Sequence, residues 1–161
     1  GEKMKYIRKH IPKGANNPNR RITPTHIVIH YSGQSGVSAE RLALCLYNNN
    51  ADNVSANFCV DEKAVIECIP AGYMSYGVTG ENEHIINIEV CYKDDSGRFE
   101  LETISNLRRL VRLLMNNFNI PAVNVVRHYD LSHYGKKCPM YYVDNPAEWD
   151  ILHSLITKGV M

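Results

Sequence analysis

The chain has no apolar run approaching the roughly 20 residues that a membrane helix needs, and its opening, Gly1-Glu2-Lys3-Met4-Lys5, lacks the apolar core of a secretion leader. A protein made in the cytoplasm, with no membrane partner, is the expectation. An excess of charge is also missing, because 18 Lys and Arg stand against 17 Asp and Glu, for a formal net charge of +1. That balance gives no general attraction for a polyanion, so nucleic acid is not an expected partner. Cysteines paired at CxxC spacing are missing as well. The five present, Cys45, Cys59, Cys68, Cys91 and Cys138, are odd in number, and four of them sit inside apolar helix or strand patterns. Reduced core thiols fit this better than a disulfide framework. There is no internal repeat, low-complexity tract or linker.

What remains is 161 residues, 44% hydrophobic and 22% charged, enough for one domain with a substantial core. Residues 1–24 hold turn-forming Asn, Gly and Pro at high density and read as an arm with little regular structure, packed on a domain spanning 25–161. In that domain Thr25-His26-Ile27-Val28-Ile29-His30 is a strand pattern ending at a small polar turn. Residues 38–50 form a helix capped by Ser38 and ended by Asn48-Asn49-Asn50. Residues 57–60 and 65–69 form a hairpin, followed by a long irregular loop from Pro70 through Gly80. Ile85 to Tyr92 is a strand, and Leu101 to Phe118 is the strongest helical pattern in the chain. A short strand at 123–126 and a helix at 146–157, with Asn145 capping and Pro146 at its first position, complete the series. This order implies an α/β fold, a central mixed sheet flanked by helices on both faces.

Chemistry concentrates after the strand at 123–126, in Arg127-His128-Tyr129-Asp130 and Gly135-Lys136-Lys137-Cys138-Pro139. An imidazole and a thiol on one loop suit a metal site, and a catalytic zinc takes three protein ligands with a fourth position open. His128 and Cys138 supply two. His30, at the end of its strand, is the preferred third, with His26 on the same strand face as a rival. Cys138 follows two lysines in a polar loop, where a thiolate is favoured. Glu89 places a carboxylate in the apolar strand Ile85-Ile86-Asn87-Ile88-Glu89-Val90 and asks for a partner, which a metal, an arginine or backbone amides can each provide.

Four stretches together resemble the zinc-dependent N-acetylmuramoyl-L-alanine amidases of the phage-lysozyme and peptidoglycan-recognition type. They are Ile27-Val28-Ile29-His30-Tyr31-Ser32-Gly33, Ser55-Ala56-Asn57-Phe58-Cys59-Val60-Asp61, Ile86-Asn87-Ile88-Glu89-Val90-Cys91, and the His128 to Cys138 loop. The resemblance implies zinc as cofactor, held by His30, His128 and Cys138. It implies Glu89 and Lys136 as catalytic residues, one moving the proton of the attacking water and the other sharing the oxyanion. It implies bacterial peptidoglycan as partner, cut outside the cell between the lactyl group of N-acetylmuramic acid and L-alanine, as by an endolysin or autolysin. Tyr31, Tyr73 and Tyr76 are candidate substrate contacts by position. Ser75-Tyr76-Gly77 departs from the aromatic-histidine pair that many relatives carry in that loop. Two other readings stand beside this one: a peptidoglycan-binding module without hydrolysis, and a cysteine hydrolase built on Cys138 and His128.

Overall fold

In the computed structural model, which describes residues 4–48 and 53–158, six strands form one sheet in the order β1-β4-β3-β5-β2-β6. The strands are β1 (Lys5–Arg8), β2 (His26–Tyr31), β3 (Phe58–Val60), β4 (Ala64–Glu67), β5 (Ile85–Val90) and β6 (Val125–Arg127). Only β3 and β4 run antiparallel, as a hairpin; every other pairing is parallel. The helices are α1 (Ala39–Asn48), α2 (Leu101–Phe118), α3 (His128–Leu131), α4 (Met140–Asp144) and α5 (Pro146–Thr157). Among the described residues no helix is long and apolar enough to cross a membrane.

Alternation along the strands sorts side chains to two faces. Ile27 and Ile29 of β2, Ile86 and Ile88 of β5, and Phe58 and Val60 of β3 point to one face, where α2 and α5 cover them with Leu107, Leu110, Val111, Leu152 and Ile156. The opposite face is covered in two halves. Over β3 and β4, α1 packs Ala39 and Ala43 on Cys59, Ala64 and Ile66. Over β5 and β2 the 70–84 loop takes that place, with Val78 against Val28 and Ile85, and Leu131 of the short α3 packs against them. Asp61 links the parts: its carboxylate accepts from the Ala39, Lys63 and Ala64 backbone N–H groups, and its carbonyl accepts from Asn106 of α2.

Several expectations are amended. The arm is not wholly irregular, since Lys5–Arg8 adds a parallel edge strand to β4, held by Tyr6 and His10 on Glu67. Pro121 starts a single 3-10 turn at Ala122–Asn124, so the following strand is displaced to Val125–Arg127. Ser38 caps α1 through the Arg41 N–H at 3.0 Å. The expected end of that helix at Asn49-Asn50 lies outside the described residues. Cys45 is exposed on α1 rather than buried, whereas Cys59, Cys68 and Cys91 are buried free thiols. Asn145 is the N-cap residue of α5 with Pro146 following, as expected, but its side-chain amide donates to the Tyr141 carbonyl and makes no cap bond to α5.

Candidate metal centre

Two structural devices bring the predicted ligands together. The first is the end of β2. In a parallel sheet the C-terminal strand ends open onto a crevice, and β2 delivers His30 there, beside its register partner Glu89 on β5. The second is the loop from His128 to Cys138. The Tyr129 N–H donates to the Cys138 carbonyl at 2.9 Å, closing the loop so that both side chains reach one point. Arg127 braces this turn with two bonds to the Asp130 carboxylate and one to the Tyr142 carbonyl. Its guanidinium also lies over the rings of Tyr129 and Trp149.

His30, His128 and Cys138 are 3%, 8% and 4% exposed. The two Nδ1 atoms are 3.1 Å apart, and Cys138 Sγ is 3.9 Å from His30 Nδ1. The three donor atoms lie within 4.8 Å of one another. A tetrahedral zinc, with bonds of roughly 2.0 Å to nitrogen and 2.3 Å to sulfur, sets its ligands about 3.3 to 3.6 Å apart. The donor set therefore fits such an ion. Burial, with His128 adding to it, pushes the His30 imidazole down to about 3, while burial and then Lys136 lower His128. Both shifts favour the neutral imidazole, the form that binds a metal.

Cys138 behaves differently from the expectation. Burial first, then the nearby Glu89 carboxylate, push its thiol up to about 12 against the opposing Tyr31 N–H and Lys136. The lysines flank a buried sulfur, and their charge does not offset its lost hydration. A thiolate here needs a cation in contact with it.

A cleft of about 440 Å³ opens over His30, His128 and Cys138, lined also by Glu89, Lys136, Tyr31 and Tyr76. Glu89 forms no ion pair among the described residues, and burial alone pushes its carboxyl up to about 8. The pairing with an arginine that the sequence left open is thus not made. Tyr73 is not brought to the cleft. Its backbone is held by Asn57 and by a bridge to Arg21, and its ring lies 5.7 Å from the Arg21 guanidinium on the arm side of the loop. His26 also stays away from the ligands, against Thr25 and the ring of His84.

The sequence reading missed Asn87, whose Oδ1 is 2.8 Å from His30 Nε2. The available signal was the one that exposed Glu89, since Asn87 is a polar residue two positions earlier on the same face of an apolar strand.

The family model described as N-acetylmuramoyl-L-alanine amidase matches residues 19–141. The N-acetylmuramoyl-L-alanine amidase XlyA of Bacillus subtilis (strain 168) is 33% identical over 162 residues, covering 97% of this chain and 52% of that protein. CwlH, an N-acetylmuramoyl-L-alanine amidase of the same organism, is 33% identical over 137 residues, covering 81% of this chain and 53% of its own length. The chain thus spans about half the length of the curated relatives it matches. Among solved structures, PlyL superposes with a TM-score of 0.85 at 25% identity, over 98% of this chain and 100% of that one. The catalytic domain of XlyA gives 0.82 at 27% identity, over 95% and 99%. With a family match across most of its length and relatives at this level of identity, the chain belongs to the N-acetylmuramoyl-L-alanine amidase family.

Proposed function

We propose that this chain is a zinc-dependent peptidoglycan hydrolase that cleaves the amide between the lactyl group of N-acetylmuramic acid and L-alanine of the stem peptide. Its working place is then the bacterial cell wall. The observation that carries the reading is the convergence of His30, His128 and Cys138, with donor atoms within 4.8 Å, at the floor of a cleft that also holds a carboxyl and an ammonium. When bound, zinc supplies Lewis acidity, making water acidic enough to attack near neutral pH and polarising the carbonyl.

The chain's own residues divide the remaining work. Glu89 takes the proton of the attacking water and returns it to the leaving amine of alanine. Burial sets its carboxyl near 8, and a cation beside it draws that value back toward the working range, where a carboxylate exchanges protons readily. Lys136, on the rim, faces the charge that gathers on the lactyl oxygen as the carbonyl becomes tetrahedral. Tyr31 and Tyr76 line the cleft and are the candidate contacts for glycan or stem peptide.

The competing readings meet specific obstacles. A cysteine nucleophile needs a depressed pKa, and Cys138 is pushed up to about 12. A binding module without hydrolysis has no use for a complete three-donor set with a carboxyl beside it.

Mass spectrometry of fragments released from defined peptidoglycan tests the proposal. A new amino terminus at alanine, abolished by chelator and by Glu89→Ala with zinc still bound, is the expected result. Fragments cut within the glycan strand or elsewhere in the stem peptide would overturn it.

A further inference from the structure

Below His30 lies a chain of polar side chains that the proposed chemistry does not use. Asn57, Ser75 and Asn87 are fully buried in the half of the sheet face that the 70–84 loop covers. Among the described residues the one buried side-chain polar atom without a partner is Thr103 Oγ1, on α2, so every member of this chain is satisfied.

The bonds fix one another's direction. The Asn57 amide nitrogen lies 3.2, 3.2 and 3.0 Å from the carbonyl oxygens of Ile69, Pro70 and Tyr73 and shares its two protons among them. Three carbonyls can be met only by an NH2, so Asn57 Oδ1 must face the other way. That oxygen accepts the Asn87 backbone N–H at 2.8 Å, which fixes the same orientation independently. It also sits 2.7 Å from Ser75 Oγ, so the Ser75 hydroxyl spends its single proton there. Ser75 is left with lone pairs only and accepts from the Asn87 Nδ2 at 2.8 Å. The Asn87 amide is thereby turned with Oδ1 toward His30, and His30 Nε2 must carry the proton that meets it.

We propose that Asn87, oriented by Asn57 and Ser75, is the positioning residue that holds His30 in the Nε2–H tautomer and so aims the Nδ1 lone pair at the metal. The relay begins at the carbonyls of residues 69–73, the start of the loop that goes on to form the Tyr76 wall of the cleft. Gly77 belongs to the device. A Cβ at that position would collide with the Asn87 side-chain amide, so the absence of a side chain there leaves room for the orienting group. A ligand histidine held by such a partner binds its metal more tightly, typically by a factor of about 10 to 100.

The inference rests on the reading of His30 as a ligand, and zinc titration of the parent separates the two. If the parent binds no zinc, the metal reading itself fails. With zinc bound to the parent, affinity is measured by competition with a chromophoric chelator for Asn87→Leu, Asn87→Asp and Ser75→Ala, each checked for native circular dichroism. Asn87→Leu removes the acceptor at similar volume and should weaken zinc binding about 10- to 100-fold. Asn87→Asp keeps an acceptor and should stay within about threefold of the parent. Ser75→Ala touches neither ligand nor metal, yet it frees the Asn87 amide to turn over and should weaken binding between those limits, an effect that packing alone would not produce. Leucine and alanine variants that match the parent would overturn the proposal. Long-range proton–nitrogen NMR of the zinc-loaded parent needs no variant. A proton on His30 Nε2 supports the relay, and one on Nδ1 overturns it.

Discussion

The two faces of the sheet bury side chains to the same depth by different means. Under α2 and α5, Ile27, Ile29, Ile86 and Ile88 meet Leu107, Leu110 and Leu152, and what matters is filled volume. On the other side of the same strands, each next to one of those isoleucines in sequence, His30 and Asn87 are buried among Asn57, Ser75 and His128, and what matters is the direction of each donor. An apolar contact survives a small rotation, whereas a hydrogen bond turned the wrong way leaves two buried groups unpaired. The helix face should therefore govern stability, and the loop-covered face should govern metal binding.

The largest effect expected is on the polar face. Cys138→Ala removes the sulfur donor, so zinc content and cell-wall clearing should be lost together. The metal-free protein should melt within a few degrees of the parent, because the buried neutral thiol contributes little more than a small hydrophobe. Metal analysis, turbidity clearing and a thermal melt in chelator read the three quantities. A variant that keeps zinc would remove Cys138 from the ligand set.

Leu107→Ala reverses the pattern. It empties volume in the α2–α5 core and should cost about 2 to 5 kcal/mol by denaturant titration. Zinc affinity, measured well below the melting range, should stay as in the parent. A drop comparable to that of the Asn87 variant would mean that the two faces are not separable.

Glu89 lies on the polar face but has no ion-pair partner there among the described residues, and pH exposes the consequence. Burial pushes its carboxyl up to about 8 in the metal-free fold, from an ordinary 4.5. Between those values the folded state keeps a proton that the unfolded state releases, so stability falls as pH rises through the window and levels off above it. Glu89→Gln cannot lose that proton. In chelator the variant should be more stable than the parent at pH 8 to 9 by about 1 to 3 kcal/mol, a figure reduced for the partial exposure of the side chain, and equal to it near pH 4. Added zinc should narrow the gap, since a cation favours the carboxylate. Melting temperatures taken every half unit of pH check this, and parallel curves for the two proteins would refute it.

The apolar face was the more legible in the sequence. Period-two pairs at Ile27 and Ile29 and at Ile86 and Ile88, and the helical spacing of Leu107, Val111 and Leu114, name their own burial. The long helix ends where expected, with Asn119 in the left-handed conformation. The cluster of His30, His128 and Cys138 was legible too, although position at strand ends and on a loop left His26 as a rival and the family resemblance singled out the three that fold together. What stayed hidden depends on three-dimensional approach. Asn57 and Ser75 are ordinary turn and loop residues in the sequence, and only folding stacks them under Asn87. Tyr73 and Tyr76, two tyrosines of one loop, are equivalent in the sequence and separate because the Asn57 amide and the bridge to Arg21 hold Tyr73 on the arm side. The state of Cys138 was misjudged for a related reason, since flanking lysines suggest a polar site and burial overrides them.

The smallest predicted effect tests whether the polar half of the face is a unit in itself. α1 lies on the same side of the sheet as the metal centre, but over β3 and β4, and it begins at a hydrogen bond from the Arg41 N–H to Ser38 Oγ. Removing that cap by Ser38→Ala should cost about 1 kcal/mol. If the polar network is held by its own bonds, the loss stays in α1, and zinc affinity and clearing are unchanged at 25 °C. If the network instead leans on α1, the connection is Asp61, which receives the Ala39 N–H next to the cap and sits four residues beyond Asn57. Zinc dissociation would then quicken in Ser38→Ala, and the division by face would have to give way to one by hydrogen-bonded connection.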